Sequence, residues 1–320
     1  MTARYQDLGN GIYCIDTDLY RPHMAACYLV REGDAVAFVD TGTYHTIPLL
    51  IAVLADLGLG VEHVRYVIPT HVHLDHAGGA GELMARCPQA QLIVHPKGAP
   101  HMIDPSRLQA GATAVYGEEG FAKDYGKLIP IPEARVTLAQ DGHTVDLNGR
   151  ILTFYDTPGH ANHHGCIWDE RSAYCFTGDT FGISYREFDT AKGVWMFAPT
   201  TPVAFSPDEW LVSLDKLQAL QPAAMLLTHY GRVTDVPLLM EALRKSISKL
   251  SEMALALRGT PQDRVAQLRE QIMQYWLEEI AAHGCNLSER DSRELLAVDS
   301  ELNAQGLDVW LQRLDKVKHR

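Results

Sequence analysis

No apolar run in this 320-residue chain reaches membrane-spanning length, so no transmembrane helix is expected. Residues Met1 to Leu8 lack an apolar h-region, so no signal peptide is expected either. Positive charge is scarce. Lys and Arg number 28 against 40 Asp and Glu, and the net charge of −12 argues against a nucleic-acid groove, which depends on phosphate neutralisation. Cysteine occurs only as scattered single residues (Cys14, Cys27, Cys87, Cys166, Cys175 and Cys285). Without a Cys-x-x-Cys pair they read as buried apolar thiols of a reducing cytoplasm, and not as a disulfide frame or a thiolate metal site. There is no Gly-x-Ser-x-Gly elbow, so a serine nucleophile of that type is not expected. Internal repeats and low-complexity segments are also missing.

What is present is an ordinary globular chain, 46% hydrophobic and 21% charged. Its first two thirds alternate strands with helices. Strand patterns fall at 11–16, 25–30, 35–39, 64–68, 92–94, 136–138, 144–147, 151–155, 173–176 and 224–227. Helical spacing covers 47–57, 77–86 and 210–220. From 97 to 132 the period weakens, and an insertion of short helices and loops is expected there, bordering a pocket or a partner surface. Beyond Tyr230 the pattern becomes all helical. An apolar stripe runs from Pro237 to Leu257, and Thr260-Pro261-Gln262-Asp263 reads as a capping box opening a helix through Ile280. Ser288 to Asp291 reads as a second capping box, with helix to Leu314. The expected organisation is a catalytic domain over 1–232, with the 97–132 insertion, and a helical subdomain over 233–320.

One stretch demands chemistry. After the apolar run 64–68 come His71, His73, Asp75 and His76 within six residues, at a strand-to-helix junction. Imidazole and carboxylate suit zinc, iron and manganese. In extended backbone a His-x-His pair directs both rings to one side, because side-chain direction repeats every two residues. Three further strand exits carry the same residue types: Asp156-Thr-Pro-Gly-His160, Thr177-Gly-Asp179 and Thr228-His229. Together they make seven candidate ligands, five His and two Asp, a number that suits two metal ions with one bridging carboxylate.

The ordered set His-x-His-x-Asp-His, Thr-Pro-Gly-His, Thr-Gly-Asp and Thr-His resembles the metallo-β-lactamase-fold hydrolase superfamily over roughly residues 5 to 232. The resemblance implies an α+β fold, an αββα sandwich with its site at one edge of two sheets. It implies His71, His73 and His160 on a first metal, Asp75, His76 and His229 on a second, and Asp179 between them. Asp40-Thr41-Gly42 matches a further motif that shapes the site floor. Two divalent ions are implied, zinc in the first place with iron or manganese as alternatives. They would generate hydroxide at neutral pH and polarise a substrate carbonyl.

Asp75, His76 and Asp179 together resemble the glyoxalase II, lactonase and thioesterase branch, whereas the His-x-Glu pattern of flavodiiron proteins is missing. The expected function is hydrolysis of a small thioester, ester or lactone. The alternatives are a mononuclear iron oxygenase of the persulfide dioxygenase type and a nucleotide or RNA phosphodiesterase. A small-molecule substrate and a homodimer through the C-terminal stripes are expected, with no nucleic-acid or membrane partner. Weaker candidates are His164 as a group steadying the site, Tyr185 as a donor to a substrate oxygen, and His23 and Tyr230 as pocket walls. Trp195-Met196-Phe197 is expected in the core.

Overall fold

The computed structural model describes residues 5–200, 203–260 and 262–318. The chain divides into two compact units. The first comprises 1–156, 163–178 and 221–234, and the second 157–162, 179–220 and 235–320. A single cut at 232 therefore describes only the last of the points at which the chain passes from one unit to the other.

The first unit is a pair of sheets with helices. Its first half contains β1 (Tyr5–Asp7), β2 (Ile12–Asp16), β3 (Ala26–Glu32), β4 (Ala35–Val39), α1 (Ile47–Asp56), β5 (Val64–Ile68), α2 (Leu74–Ala77), α3 (Ala80–Arg86), β6 (Gln91–Val94), α4 (Ala99–Ile103), α5 (Ser106–Asp124) and β7 (Val136–Leu138). The seven strands form one sheet in sequence order. β1 to β4 pair antiparallel and β4 to β7 parallel. β4 is buried at all five positions, the continuous apolar run expected of a strand covered on both faces.

The second sheet is built from β8 (His143–Leu147), β9 (Arg150–Asp156), β10 (Gly165–Asp169), β11 (Tyr174–Gly178), β12 (Ala224–Leu227) and β13 (Gly231–Val233), in the order 13-12-11-10-9-8. Alternate residues of both sheets meet in one core. Tyr28, Val30, Val39 and Ile68 come from the first sheet, and Leu152, Phe154, Ile167 and Phe176 from the second. The other face of the first sheet buries Phe38, Val36 and Val67 under Leu50, Leu54, Leu83 and Met84 of α1 and α3. Each such aliphatic side chain contributes about 1.5–3 kcal/mol on burial. At one end the sheets are stitched together: the Ala26 N–H donates to Thr228 O at 2.8 Å and the Tyr28 hydroxyl to Leu227 O.

The second unit holds α6 (Pro207–Ala219), α7 (Val236–Ala256), α8 (Arg264–His283) and α9 (Glu289–Lys318). The apolar stripe of α7 (Leu239, Leu243, Ile247, Leu250) is buried, as are Leu268, Ile272 and Trp276 of α8 and Leu307 and Leu311 of α9. Trp195, Met196 and Phe197 lie in this core, with Phe197 4.4 Å from Trp276 between ring centroids. Among the described residues, no helix is long and apolar enough to cross a membrane.

Two of three local expectations change. The 77–86 helix is two helices, α2 and α3, separated at Gly78-Gly79. The Gly79 N–H donates to Gly42 O at 2.9 Å, and a methyl group on Gly79 would stand 2.6 Å from Thr43 O, so this pair lets the Asp40 loop lie against α2. The Thr260 capping box does not open α8. The Thr260 hydroxyl donates back to Leu257 O at 3.2 Å, and α8 begins at Arg264 behind Asp263 at φ +54°. Pro261 lies outside the described residues. Ser288 does cap its helix: its Oγ accepts the Asp291 N–H at 3.1 Å.

Candidate metal centre

The parallel register of β4 and β5 pairs Val39 with Ile68, so their exits, Asp40 and Thr70, emerge side by side. Asp40 is 1% exposed and takes a left-handed φ of +56°. Its Oδ1 accepts the Thr70 N–H at 2.7 Å and the Thr70 hydroxyl at 2.9 Å. Its Oδ2 accepts the Thr228 hydroxyl at 2.7 Å and His76 Nδ1–H at 2.8 Å. Thr70 Oγ1 in turn stands 3.2 Å from His71 Nδ1. One buried carboxylate therefore orients His76 directly and His71 through Thr70. The Thr41 N–H donates to His76 O at 2.7 Å and fixes the backbone of that residue as well.

In the first unit the structure brings together His71, His73, Asp75, His76 and His229. His71 Nε2 and His73 Nδ1 are 2.7 Å apart, and the His71 and His76 rings 4.0 Å between centroids. One ligand atom from each of Asp75, His76 and His229 falls within 4.8 Å of the other two. The donor chemistry of this trio tests a metal directly. His229 Nδ1 faces Met24 O at 2.8 Å, and a carbonyl only accepts, so Nδ1 carries the proton. His76 Nδ1 is protonated against Asp40 for the same reason. In the neutral rings both Nε2 atoms then present lone pairs to Asp75 Oδ2, at 3.1 Å from His229 and 3.5 Å from His76. With both rings neutral, these three electron-rich atoms form a donor set that a bound cation would satisfy. Ligands about 2.1 Å from a tetrahedral ion stand about 3.4 Å apart, close to these spacings. The trio fits a divalent ion.

The second unit repeats the pattern. His160 Nδ1 donates to Pro199 O at 2.8 Å, and its Nε2 lies 3.3 Å from Asp179 Oδ2. Trp210 is the post for both strand exits. Its indole N–H donates to Thr180 O at 2.7 Å, and its ring stands edge-on to His160 at 5.8 Å. Gly159, at φ +132°, lets the Thr-Pro-Gly-His turn lie against the Trp210 backbone, where any Cβ would collide.

The remaining candidates fall as follows. His164 is fully buried in the first unit and stacks on His71 at 4.6 Å and 26°. Gly178 makes room for it: a methyl group there would stand 2.7 Å from His164 Nε2 and 2.5 Å from Thr70 Oγ1. Tyr185, 1% exposed in the second unit, directs its hydroxyl to the Asp299 carboxylate at 3.1 and 3.2 Å. That placement gives the phenol a carboxylate acceptor on α9, 114 residues away in sequence, in place of the substrate oxygen expected for it. His23 and Tyr230 pack ring against ring at 4.9 Å, tilted by 46°, with Tyr230 next to His229 in sequence. The sequence reading missed the reach of Asp40, whose four donors come from three residues on two strand exits. It also missed Met24 O and Pro199 O, backbone acceptors that leave no mark on residue type.

The family model described as the metallo-beta-lactamase superfamily matches residues 20–229. A metallo-beta-lactamase fold-containing protein of Sulfurisphaera tokodaii, ST1585, is 26% identical over 233 residues, 71% of this chain and 80% of that protein. Its solved structure superposes with a TM-score of 0.60 at 24% identity, over 75% of this chain and 86% of that one. The coenzyme F420H(2) oxidase of Methanothermobacter marburgensis is 29% identical over 170 residues; the match covers 49% of this chain but only 37% of the oxidase. The acyl-coenzyme A thioesterase MBLAC2 of Gallus gallus is 26% identical over 188 residues, 55% of this chain and 64% of the thioesterase.

Proposed function

The chain belongs to the metallo-beta-lactamase superfamily, and on that premise we propose that it is a dinuclear metal-dependent hydrolase of small thioesters, esters or lactones. The observation that carries the reading is the Asp75, His76 and His229 trio, whose two imidazoles are each held by the far nitrogen with Nε2 aimed at one carboxylate oxygen. A second complete donor set in addition to His71, His73 and His160 suits a second ion.

In this reading His71, His73 and His160 hold one ion, Asp75, His76 and His229 the other, and Asp179 serves both. Bound divalent ions would supply hydroxide at neutral pH and an electrophile for the carbonyl oxygen. The protein's own groups do the rest. Asp40 and Met24 O keep the ligand imidazoles in one tautomer and one orientation, which raises their basicity and removes a reorganisation step. The Asp75 side chain is 28% exposed against 0% for His76, so its carboxylate is placed to take up a proton during attack and return it to the departing thiolate or alkoxide. His164, packed flat on His71, resists displacement of that ring.

The thioesterase relative supports a thioester substrate. The oxidase relative raises oxygen chemistry as the rival, but this chain spans about a third of that protein and carries His73 where flavodiiron proteins carry Glu. Thiol release from a panel of short acyl thioesters, together with ring opening of lactones, tests the proposal. Turnover should vanish with a chelator and return with zinc or manganese. Oxygen uptake without ester cleavage would replace the hydrolase reading with the oxygenase one.

A further inference from the structure

Two segments of the first unit pack beside His229 and the neighbour of Asp75. One is the loop between β2 and β3. Asp16, 3% exposed, sets its shape: the carboxylate accepts the N–H groups of Asp18 and His23, each at 3.0 Å. Asp18, Tyr20 and His23 all adopt left-handed φ, at +58°, +54° and +60°. This loop supplies Met24 O, which holds His229, and it packs His23 against Tyr230. The other segment is the second half of α5 with Tyr125. Phe121 and Tyr125 pack against Leu74, the residue preceding Asp75, and the Tyr44 N–H donates to Tyr125 O at 3.3 Å. Each segment is thus tied to one member of the Asp75–His229 pair.

They join at Tyr20. Its hydroxyl donates to Asp124 Oδ2 at 3.2 Å and lies 3.4 Å from the Tyr125 hydroxyl, while the Tyr116 ring stands 5.3 Å from that of Tyr125. Tyr20 is 57% exposed, so the junction is a surface contact made by hydrogen bonds, unlike the apolar packing on either side of it. Gly117, at φ +73° and ψ 164°, interrupts α5 and separates the half that carries the junction from the half before it.

We propose that Tyr20, Asp124 and Tyr125 form a clasp that sets the width of the opening over Asp75 and His229, admitting short acyl and leaving groups and turning away bulky ones. The groups that make the clasp are phenols and a carboxylate, which suit a neutral or cationic substrate and repel a polyanionic one. The selection of substrate rests on the hydrolase reading, but closure of the clasp does not.

Hydrogen exchange read by mass spectrometry on the full, metal-loaded chain tests closure. Tyr20→Phe and Asp124→Ala should each speed exchange of amides in both 17–25 and 118–126 by about tenfold, the effect of losing one hydrogen bond to a charged group. Tyr66→Phe removes a comparable surface phenol bond, to Asp146 O at 3.1 Å, and should leave both segments unchanged. Unaltered exchange in the two clasp variants overturns the proposal, as does faster exchange in only one segment. Selection is read from kcat/KM for a bulky, anionic thioester relative to a short neutral one, a ratio that should rise about tenfold in Tyr20→Phe. A constant ratio with faster exchange overturns the selective role. If the wild type cleaves no thioester, ester or lactone, the hydrolase reading has failed, and the clasp is then upheld or overturned by the exchange result alone.

Discussion

Replacing Asp40 by Asn isolates the orientation of the second donor set from the ligands themselves. The change is nearly isosteric, and Asn tolerates the left-handed backbone at this position. The amide oxygen can keep both bonds from Thr70. The amide nitrogen then occupies the place of Oδ2, where it faces two donors, the Thr228 hydroxyl at 2.7 Å and His76 Nδ1–H at 2.8 Å. The hydroxyl can turn and accept. The imidazole can comply only by moving its proton from Nδ1 to Nε2, which faces Asp75 at 3.5 Å and is the atom a metal would need. Loss of such an outer partner costs about 10–100-fold in metal affinity, or about 1.4–2.7 kcal/mol. Titration of the metal-free protein with zinc against a fluorescent chelator measures this. One binding step should weaken by that factor. Thr228→Ala, which leaves the His76–Asp40 bond in place, should weaken it far less. Wild-type affinity in both steps of the Asp40→Asn titration would refute the argument that Asp40 fixes the His76 tautomer.

Further outcomes follow from other parts of the structure. His164→Ala removes the ring stacked on His71 but no donor atom directed at a metal, so turnover should fall several-fold while metal content stays at the wild-type level; equal loss of both would make His164 a ligand. Arg150 and Asp169 form an ion pair with both side chains fully buried, and Arg150 also donates to Asn10 O at 2.6 Å, so Arg150→Ala should cost about 3–5 kcal/mol in denaturant unfolding; a loss below about 1 kcal/mol would contradict it. Burial holds the Cys27 thiol high and pushes Cys87 up to about 11, while Cys175 is raised by its contact with Cys166 and then by burial. A raised pKa leaves less thiolate at any given pH, so at pH 8 the folded protein should expose one fast thiol, Cys285, to a disulfide reagent, and all six after denaturation.

The central strand 35–39 was legible because burial on both faces demands an uninterrupted apolar run, and 64–68 through its buried Val64, Val67 and Ile68. The candidate ligand positions were legible because His and Asp are metal-binding types and each cluster follows a strand. Where the physics leaves no imprint on residue type, the sequence was silent. The strand Gly165–Asp169 follows two histidines and mixes Gly, Cys and Trp, and Gly231–Val233 is a three-residue edge. The helix 106–124 lacks an apolar stripe because Phe121 alone of its described side chains is deeply buried and Gly117 breaks its phase. The passage of 157–162 and 179–220 into the second unit has no marker in composition, since Trp210 and the backbone oxygens it organises act only through tertiary contact. Tyr185 shows the same limit: its partner Asp299 lies on the last helix.

The claim that seven side chains hold two ions is tested most directly by metal content per chain, by elemental analysis with zinc, iron and manganese read together, on protein purified without added metal. The account predicts close to two divalent ions in the wild type and close to one in His76→Ala, with His160 and the His71–His73 pair still loaded. One iron per chain in both proteins, or no metal before and after reconstitution, would contradict it.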